Sequence, residues 1–457
     1  MKRILISLTV CLLLSGCGRF GTSPDTPHFQ ESKITFTSPL WLTSGKLGFL
    51  KPHLLLDKKG VLYAVWIDGG TTYIAKSSNE GKTWDKQIVS SGKQTSYDWW
   101  PFCFNSDSHG NLYLVQAPGA IDYGIFFSFS EDKGKTWKEP VRVNDDTRKF
   151  ACPERPAFTV DDKGTLFIIY TKAKRPEEID PQKKGKKAGV YLARSFDGGQ
   201  TWGKSILLED ISFTSPIDFP YLLSSKDILY LVYGNSIYRS KDMGRNWEKI
   251  LKLESGFGSI KIIMKSDTQG NLYIIWQRAV VTKDETGLFG GGKLKGYVDI
   301  CFSKSTNGGK SWARPIRIND TKLPFGWKMA PAGITGQEQM KYLTQETRGA
   351  VPFDIAVSEN GEVIGAIWKD WRNGKGALYF SYSLDGGKTW TKNVRISDDS
   401  TSPMKAGSLA VKGNGSVYVL WTNLGPHKSI PGGFIGDVNI YFSSGKIGDE
   451  ANIPGKI

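Results

Sequence analysis

The stretch Ser383-Leu-Asp-Gly-Gly-Lys-Thr-Trp390 decides how the chain is read. It is too polar for a core strand and too rich in glycine for a helix, yet it closes on a tryptophan. Five further copies of Ser-x-Asp/Asn-x-Gly-x-Thr/Ser/Asn-Trp occur: SSNEGKTW from Ser77, SEDKGKTW from Ser130, SFDGGQTW from Ser195, SKDMGRNW from Ser240 and STNGGKSW from Ser305. Six copies in one chain are architecture rather than six active sites, and self-similarity of this kind marks a repeat fold. The Ser hydroxyl and the Asp or Asn side chain suit capture of turn amides, and the glycine suits a positive φ. Asn replaces Asp at Asn79 and Asn307, which fits a turn staple better than chemistry. A calcium loop would need several carboxylates at alternate positions, and this box lacks them.

A second element precedes each box: a turn and then an apolar run ending in an aromatic residue or Gln. KKGVLYAVW to Trp66, SHGNLYLVQ to Gln116, DKGTLFIIY to Tyr170 and TQGNLYIIW to Trp276 are examples, with others ending at Tyr233, Trp368 and Trp421. Runs of this kind belong to strands buried on both faces. Seven such runs stand against six boxes. One unit, residues 351–397, reads as strand A (VPFDIAVS), strand B (EVIGAIW), strand C (ALYFSYS), the box turn, and strand D (KNVRISD). Repeated four-stranded antiparallel units describe the blades of an all-β propeller. The seventh unit stops after its third strand, DVNIYFSS, while the N-terminal SPLWLTSG of Ser38 to Gly45 resembles the fourth strands EPVRVND and RPIRIND. The sequence therefore predicts seven four-stranded blades, the last closed by an N-terminal strand, with six blades as the alternative.

The chain has 457 residues and a formal net charge of +15. It opens MKRILISLTVCLLLSGC, two basic residues and an apolar run before Leu14-Ser15-Gly16-Cys17. This reads as a secretory signal over 1–16 with a bacterial lipobox and lipidation at Cys17. Residues 17–33 are then a polar tether, 34–445 the propeller and 446–457 a tail. Gly18 is not the Asp that retains lipoproteins in the inner membrane, which favours the outer membrane. An exported protein has little occasion to meet nucleic acid, so the positive charge points to acidic glycans, lipopolysaccharide phosphates or a membrane surface, or simply to solubility. Cys103, Cys152 and Cys301 are too scattered for a disulfide framework; a Cys103–Cys152 bridge and two free thiols both remain open. His28, His53, His109 and His427 have no metal-ligand spacing, so no metal or cofactor is expected.

Strand alternation puts the A–B turns and the boxes on one face, and the D–A and B–C connections on the other. The long connections, 172–188, 278–296, 320–350 and 422–436, all fall on that second face, which is the expected working face. Residues at the strand ends there are Lys51, His53, Asp68, Trp99, Trp100, Glu154, Arg155, Asp218, Arg278, Arg348, Asp354, Asp370 and Arg372. Tryptophan stacks on sugar rings, arginine grips carboxylates with two hydrogen bonds, and a carboxylate pair can serve as acid and base. Glu154 and Asp218, from adjacent blades, are the best such pair. Charged strand ends are more commonly just solvated or ion-paired.

The six boxes resemble the Asp boxes, or BNR repeats, of the sialidase superfamily, and the resemblance runs from about residue 34 to 445. It implies a propeller with a site at the mouth of its channel; it does not imply one function, since Asp boxes recur in sialidases, sortilin-like receptors and photosystem II assembly factors. An active sialidase of the family carries an arginine in Phe-Arg-Ile-Pro, two more arginines for the sialate carboxylate, an acid Asp and a Tyr–Glu nucleophile pair. Here Phe49-Leu50-Lys51-Pro52 puts leucine at the arginine position, Glu154-Arg155-Pro156 is a partial echo in the third blade, and GPHKSIPGGFIGD near the C-terminus has no tyrosine. The resulting expectation is an envelope-anchored propeller that binds an anionic glycan or an envelope protein partner without true sialidase activity. The alternative is a glycoside hydrolase, sialidase-like, or a lyase acting on acidic glycans. A pure assembly scaffold is the third class.

Overall fold

The computed structural model describes residues 18–19, 28–45, 52–68, 71–91, 102–117, 124–145, 154–174, 188–208, 211, 220–253, 261–284, 290–331, 345–347, 349–399, 403–430 and 433–448. Their strands form seven antiparallel blades around one channel, with Gly18–Arg19 added in parallel to the outer edge of blade 4 beside Leu251 and Lys252. Blade 1 is His53–Leu56, Leu62–Asp68, Thr71–Ser77 and Asp85–Ser91. Blade 6, Ala350–Val357, Ile364–Asp370, Ala377–Ser383 and Val394–Arg395, keeps the same order from the channel outward. The innermost strands touch their neighbours all the way round, and that of blade 7 touches that of blade 1.

Both faces of each blade are covered, which is why the B strands read as unbroken apolar runs. Seven hydrophobic clusters fill seven seams. Tyr63, Val65 and Ile74 of blade 1 meet Phe102, Phe104 and Leu112 of blade 2; the series ends where Trp421 and Val419 of blade 7 pack on Ile367 and Phe380 of blade 6, and Tyr418 and Leu420 on Leu62 and Trp66 of blade 1. Burying each such side chain contributes on the order of 1.5–3 kcal/mol. Around the channel wall, polar contacts follow the same ring. The Cys103 thiol of blade 2 donates to the Pro156 carbonyl of blade 3 at 3.1 Å, and Ser224 N of blade 4 donates to Thr159 Oγ1 of blade 3 at 3.0 Å. Asp354 Oδ2 of blade 6 accepts Leu409 N of blade 7 at 3.0 Å, and Ser408 Oγ of blade 7 accepts Leu54 N of blade 1 at 3.1 Å. Cys152 lies outside the described residues.

The N-terminal strand closes the ring as the sequence predicts. Leu40–Gly45 pairs antiparallel with Gly433–Ile447, Leu40 opposite Phe442 and Gly45 opposite Val438. A second short strand, Ile34–Phe36, pairs with the far end of the same strand. Ile34 is buried among blade 6 and 7 residues, and the Phe36 ring meets Phe380 edge-on at 5.4 Å.

Each box is a staple, and its glycine and tryptophan lock one blade to the one before it. In blade 6, Ser383 Oγ accepts Gly387 N at 2.8 Å and donates to Asp385 Oδ1 at 2.7 Å, while Asp385 Oδ1 accepts Thr389 N at 2.9 Å. Gly387 has φ +94°, and a Cβ there would lie 2.4 Å from the Phe302 ring of blade 5. Trp390, 1% exposed, meets the same ring edge-on at 5.0 Å. Where the box holds asparagine the scheme is kept with one donor reversed: Asn79 Nδ2 donates to Thr83 Oγ1 at 2.8 Å. A second staple closes A–B turns. Asp57, Asp107, Asp161 and Asp267 each accept the amides two and four residues on, at 2.8–3.0 Å.

Three stretches expected to be loops contain strand. In blade 5 the B and C strands extend as Leu272–Asp284 and Gly290–Ser305, paired out to Asp284 opposite Leu294. Leu323–Pro331 pairs with that extension, and Gln345–Thr347 pairs with it in turn. In blade 7, Ser416–Ile430 and Gly433–Ile447 form one long hairpin. The β-branched run Val280-Val281-Thr282 carries the ladder onward, and pairing satisfies backbone groups that a loop of that length would leave to water.

Candidate functional site

The box face carries short turns, so the opposite face holds the larger connections and the strand ends singled out above. His53 opens strand A of blade 1, half-buried, its ring 4.9 Å from Phe102 of blade 2. Asp68 closes strand B of the same blade opposite Thr71. Glu154 opens strand A of blade 3 opposite Thr171, with a register irregularity before Ala157 that also takes in Arg155. Lys51, Trp99, Trp100, Asp218 and Arg348 lie outside the described residues, as does Cys17, so the Glu154–Asp218 pair rests on sequence alone. Among the described residues, no three His, Cys, Asp or Glu side chains gather as a metal site.

Asp370 and Arg372 come together, but on each other. Asp370 ends strand B of blade 6, fully buried, and accepts Trp368 Nε1 at 3.0 Å. The Arg372 guanidinium donates from Nε and Nη2 to Asp370 at 3.1 and 2.8 Å, from Nη1 to Asp320 of the blade 5–6 connection at 2.8 Å, and from Nη2 to Asn393 Oδ1 at 2.9 Å. It also lies 3.9 Å over the Tyr379 ring. Burial disfavours its charge, yet Asp370 and Asp320 outweigh burial and raise its pKa. Asp320 Oδ2 in turn accepts Asn393 N at 2.8 Å. The set behaves as a clamp between blades 5 and 6, with its donors spent.

A second charged group has not spent its donors. Arg278 on strand B of blade 5 faces Asp299 on strand C in register, and Arg317 on strand D brings Nη1 to 4.0 Å from Asp299 Oδ1. Asp299 is 4% exposed. Arg278 Nη1, Arg317 Nε and Asp299 Oδ1 are buried without a hydrogen-bond partner. Burial pushes the Asp299 carboxyl above its ordinary range, and the attraction of Arg317, Arg278 and Lys322 offsets this only in part. Three cations thus surround one carboxylate at the root of the blade 5 extension, on the side that also carries Trp276 and Cys301. Sequence reasoning found Arg278 from its strand-end position; it missed Asp299 and Arg317, which sit inside strands.

Deeper in the channel, Lys265 of blade 5 stands 3.7 Å from Asp354 of blade 6 and 5.7 Å over the Tyr221 ring of blade 4. Burial opposes the ammonium charge, but Asp354 and Tyr221 hold its pKa well above that of an ordinary lysine. At the head of the 172–188 connection, Lys172 is 2% exposed with Nζ 4.2 Å over the Tyr191 ring. Neither lysine was legible as a site residue, because each depends on a partner in another strand.

Comparison with known proteins gives two family matches, a BNR repeat-like domain over residues 116–324 and a BNR/Asp-box repeat over residues 381–392. The chain is also similar in structure to several propeller proteins. An α-L-arabinanase of Penicillium chrysogenum is 14% identical, covers 92% of this chain and 98% of its own, and gives a TM-score of 0.41. A polysaccharide lyase acting on ulvan is 12% identical, with coverage of 84% and 93% and a TM-score of 0.47. A Hadza microbial sialidase is 14% identical, with coverage of 84% and 73% and a TM-score of 0.42. The chain carries BNR/Asp-box repeats on a seven-bladed propeller, as its sequence predicts.

Proposed function

We propose that the protein is an envelope-anchored Asp-box propeller that binds an anionic glycan on its long-connection face, without sialidase activity. The observation that carries this reading is the Arg278–Asp299–Arg317 group with Lys322. It holds an excess of positive charge over one buried carboxylate, and polar atoms of Arg278, Arg317 and Asp299 have no hydrogen-bond partner. Buried donors without partners cost free energy that a ligand carboxylate or sulfate can return as charge-assisted hydrogen bonds. On strand alternation in the sequence, Lys51, His53, Trp99, Trp100 and Arg348 are assigned to the same face, which extends the reading to sugar stacking and further cationic contacts. Leu50 at the family's arginine position supports binding without sialidase turnover. Lipidation at Cys17 would hold the protein at the outer membrane.

The test is a panel of sialosides and acidic polysaccharides scored for both binding and cleavage. Arg278→Ala is expected to weaken binding of the best ligand by about 1.5–3 kcal/mol, roughly ten- to a hundredfold. Cleavage that Glu154→Gln or Asp218→Asn abolishes would establish the hydrolase or lyase alternative. Binding that Arg278→Ala leaves untouched would remove the observation on which the proposal stands.

A further inference from the structure

The box face has a feature that turn architecture does not require. Of the large apolar side chains exposed among the described residues, three sit on box turns: Phe196 at 67%, Leu384 at 55% and Met243 at 38%. Phe196 and Leu384 hold the second box position of blades 3 and 6, where other copies carry Ser78, Glu131 and Thr306, and Met243 holds the fourth position of blade 4, where others carry Glu80, Lys133 or glycine. Phe196 and Met243 border one shallow hollow together with Leu229. Val281 is exposed on the opposite face, and Leu40, Trp41 and Ile88 lie on the outer edges of blades 7 and 1. Exposed cations flank the tips: Lys241 and Arg245 beside Met243, and Lys388 and Lys392 beside Leu384.

The N-terminal segment reaches the propeller on this same face. Gln30 N donates to Trp390 O at 2.9 Å and Gln30 O accepts Lys392 N at 2.7 Å, beside the blade 6 box. Gln30 Nε2 reaches Thr389 Oγ1 at 3.1 Å, Lys33 N reaches the Tyr382 hydroxyl at 2.9 Å, and Glu31 pairs with Lys392. Upstream, Gly18–Arg19 pairs in parallel with Leu251 and Lys252 on the outer strand of blade 4, so Cys17 adjoins the blade whose box turn carries Met243. A lipid on Cys17 would therefore keep the edge of blade 4 close to the bilayer, and loop tips that combine Phe, Leu or Met with Lys and Arg suit the headgroup boundary of an anionic membrane.

We propose that the box face is a bilayer-docking surface: Phe196, Met243 and Leu384 enter the headgroup layer while the flanking cations meet lipid phosphates. The long-connection face is then presented away from the membrane. This rests on the anchoring part of the function proposed above and not on its ligand. The full-length lipidated protein, reconstituted into phosphatidylethanolamine–phosphatidylglycerol vesicles, tests it with an environment-sensitive dye on Phe196→Cys, on Leu384→Cys and, as control, on the exposed Lys375→Cys of the opposite face, each compared with the parent chain labelled alike. These positions are exposed, so the substitutions spare the core. Dye emission at 196 and 384 is expected to rise roughly twofold or more on reconstitution and to be quenched by brominated lipid, with no change at 375. Protein that floats with the vesicles while the tips stay unchanged, or while 375 responds instead, overturns the docking surface and leaves the anchor standing. Protein that does not float overturns the anchor and the docking surface together.

Discussion

The two adjacent glycines of the blade 3 box separate backbone strain from contact between blades. Gly198 and Gly199 both hold positive φ, +71° and +93°. A Cβ on Gly198 would meet nothing within 4 Å, whereas one on Gly199 would lie 2.0 Å from Phe127 Cε1 and 2.6 Å from Cδ1 of blade 2. The Phe127 ring has little room to move: it is fully buried, with Trp202, Tyr113 and Phe158 at centroid distances of 5.3, 5.8 and 5.9 Å. Placing alanine in the left-handed region costs about 1–2 kcal/mol, offset by about 0.4–1 kcal/mol because the unfolded chain loses freedom as well. Gly198→Ala should therefore cost about 1 kcal/mol. Gly199→Ala carries the same strain plus overpacking of about 1–3 kcal/mol, so about 2–4 kcal/mol in all. Equilibrium urea unfolding followed by tryptophan fluorescence reads the difference as a shift in midpoint at constant slope. Adding Phe127→Leu to Gly199→Ala should recover part of the overpacking, because the two sites share one contact. Equal losses for the two glycine variants would refute the claim that the box glycine is there to let one blade approach the next.

The box carboxylates predict a direction for acid stability. Hydrogen bonds from the Thr201 hydroxyl and amide hold Asp197 at about 2, below the ordinary aspartate value near 4 in the unfolded chain. A carboxyl depressed in the folded state stabilises above the unfolded value, and that contribution disappears as pH falls from about 4 through about 2. Asp197→Asn should keep the turn, as Asn79 and Asn307 do, and lose less stability between pH 5 and pH 2.5 than the parent; an identical pH dependence of the urea midpoint would contradict this. The Arg372 clamp predicts a larger effect. Arg372→Ala leaves Asp370 charged and fully buried with Trp368 as its one side-chain donor, and should cost about 3–5 kcal/mol. Arg372→Lys should recover little of this, because one ammonium cannot reproduce a fork that serves Asp370, Asp320 and Asn393 together; losses below about 0.5 kcal/mol in either variant, measured by urea unfolding, would count against the clamp.

What was legible in the sequence follows from the range of the forces involved. The box can be read because its chemistry closes within eight residues: Ser383, Asp385, Gly387 and Thr389 satisfy one another, so their spacing is fixed by local geometry. The B strands can be read because burial on both faces leaves an unbroken apolar run, and counting them against the boxes is enough to predict an N-terminal closing strand. The A–B staples at Asp57, Asp107, Asp161 and Asp267 are equally local, yet Asp-x-x-Gly is common enough in turns to pass unnoticed. The extended hairpins of blades 5 and 7 were hidden by glycine. In Gly290-Gly291-Gly292 the backbone ladder does what side-chain pattern ordinarily announces. For charged residues the decisive partners are distant. Asp370 and Arg372 are neighbours in sequence, but what sets their role is Asp320, 52 residues away, and Asn393, 21 residues away. Arg278 stands out at a strand end, whereas Asp299 and Arg317 look like ordinary alternating strand residues until the B, C and D strands pair and bring them to one side of the sheet. Position along a strand therefore nominates charged residues in this fold without sorting them. The sorting is done by whether the neighbouring blade supplies a counter-charge, as it does for Arg372, or leaves donors open, as it does for Arg278.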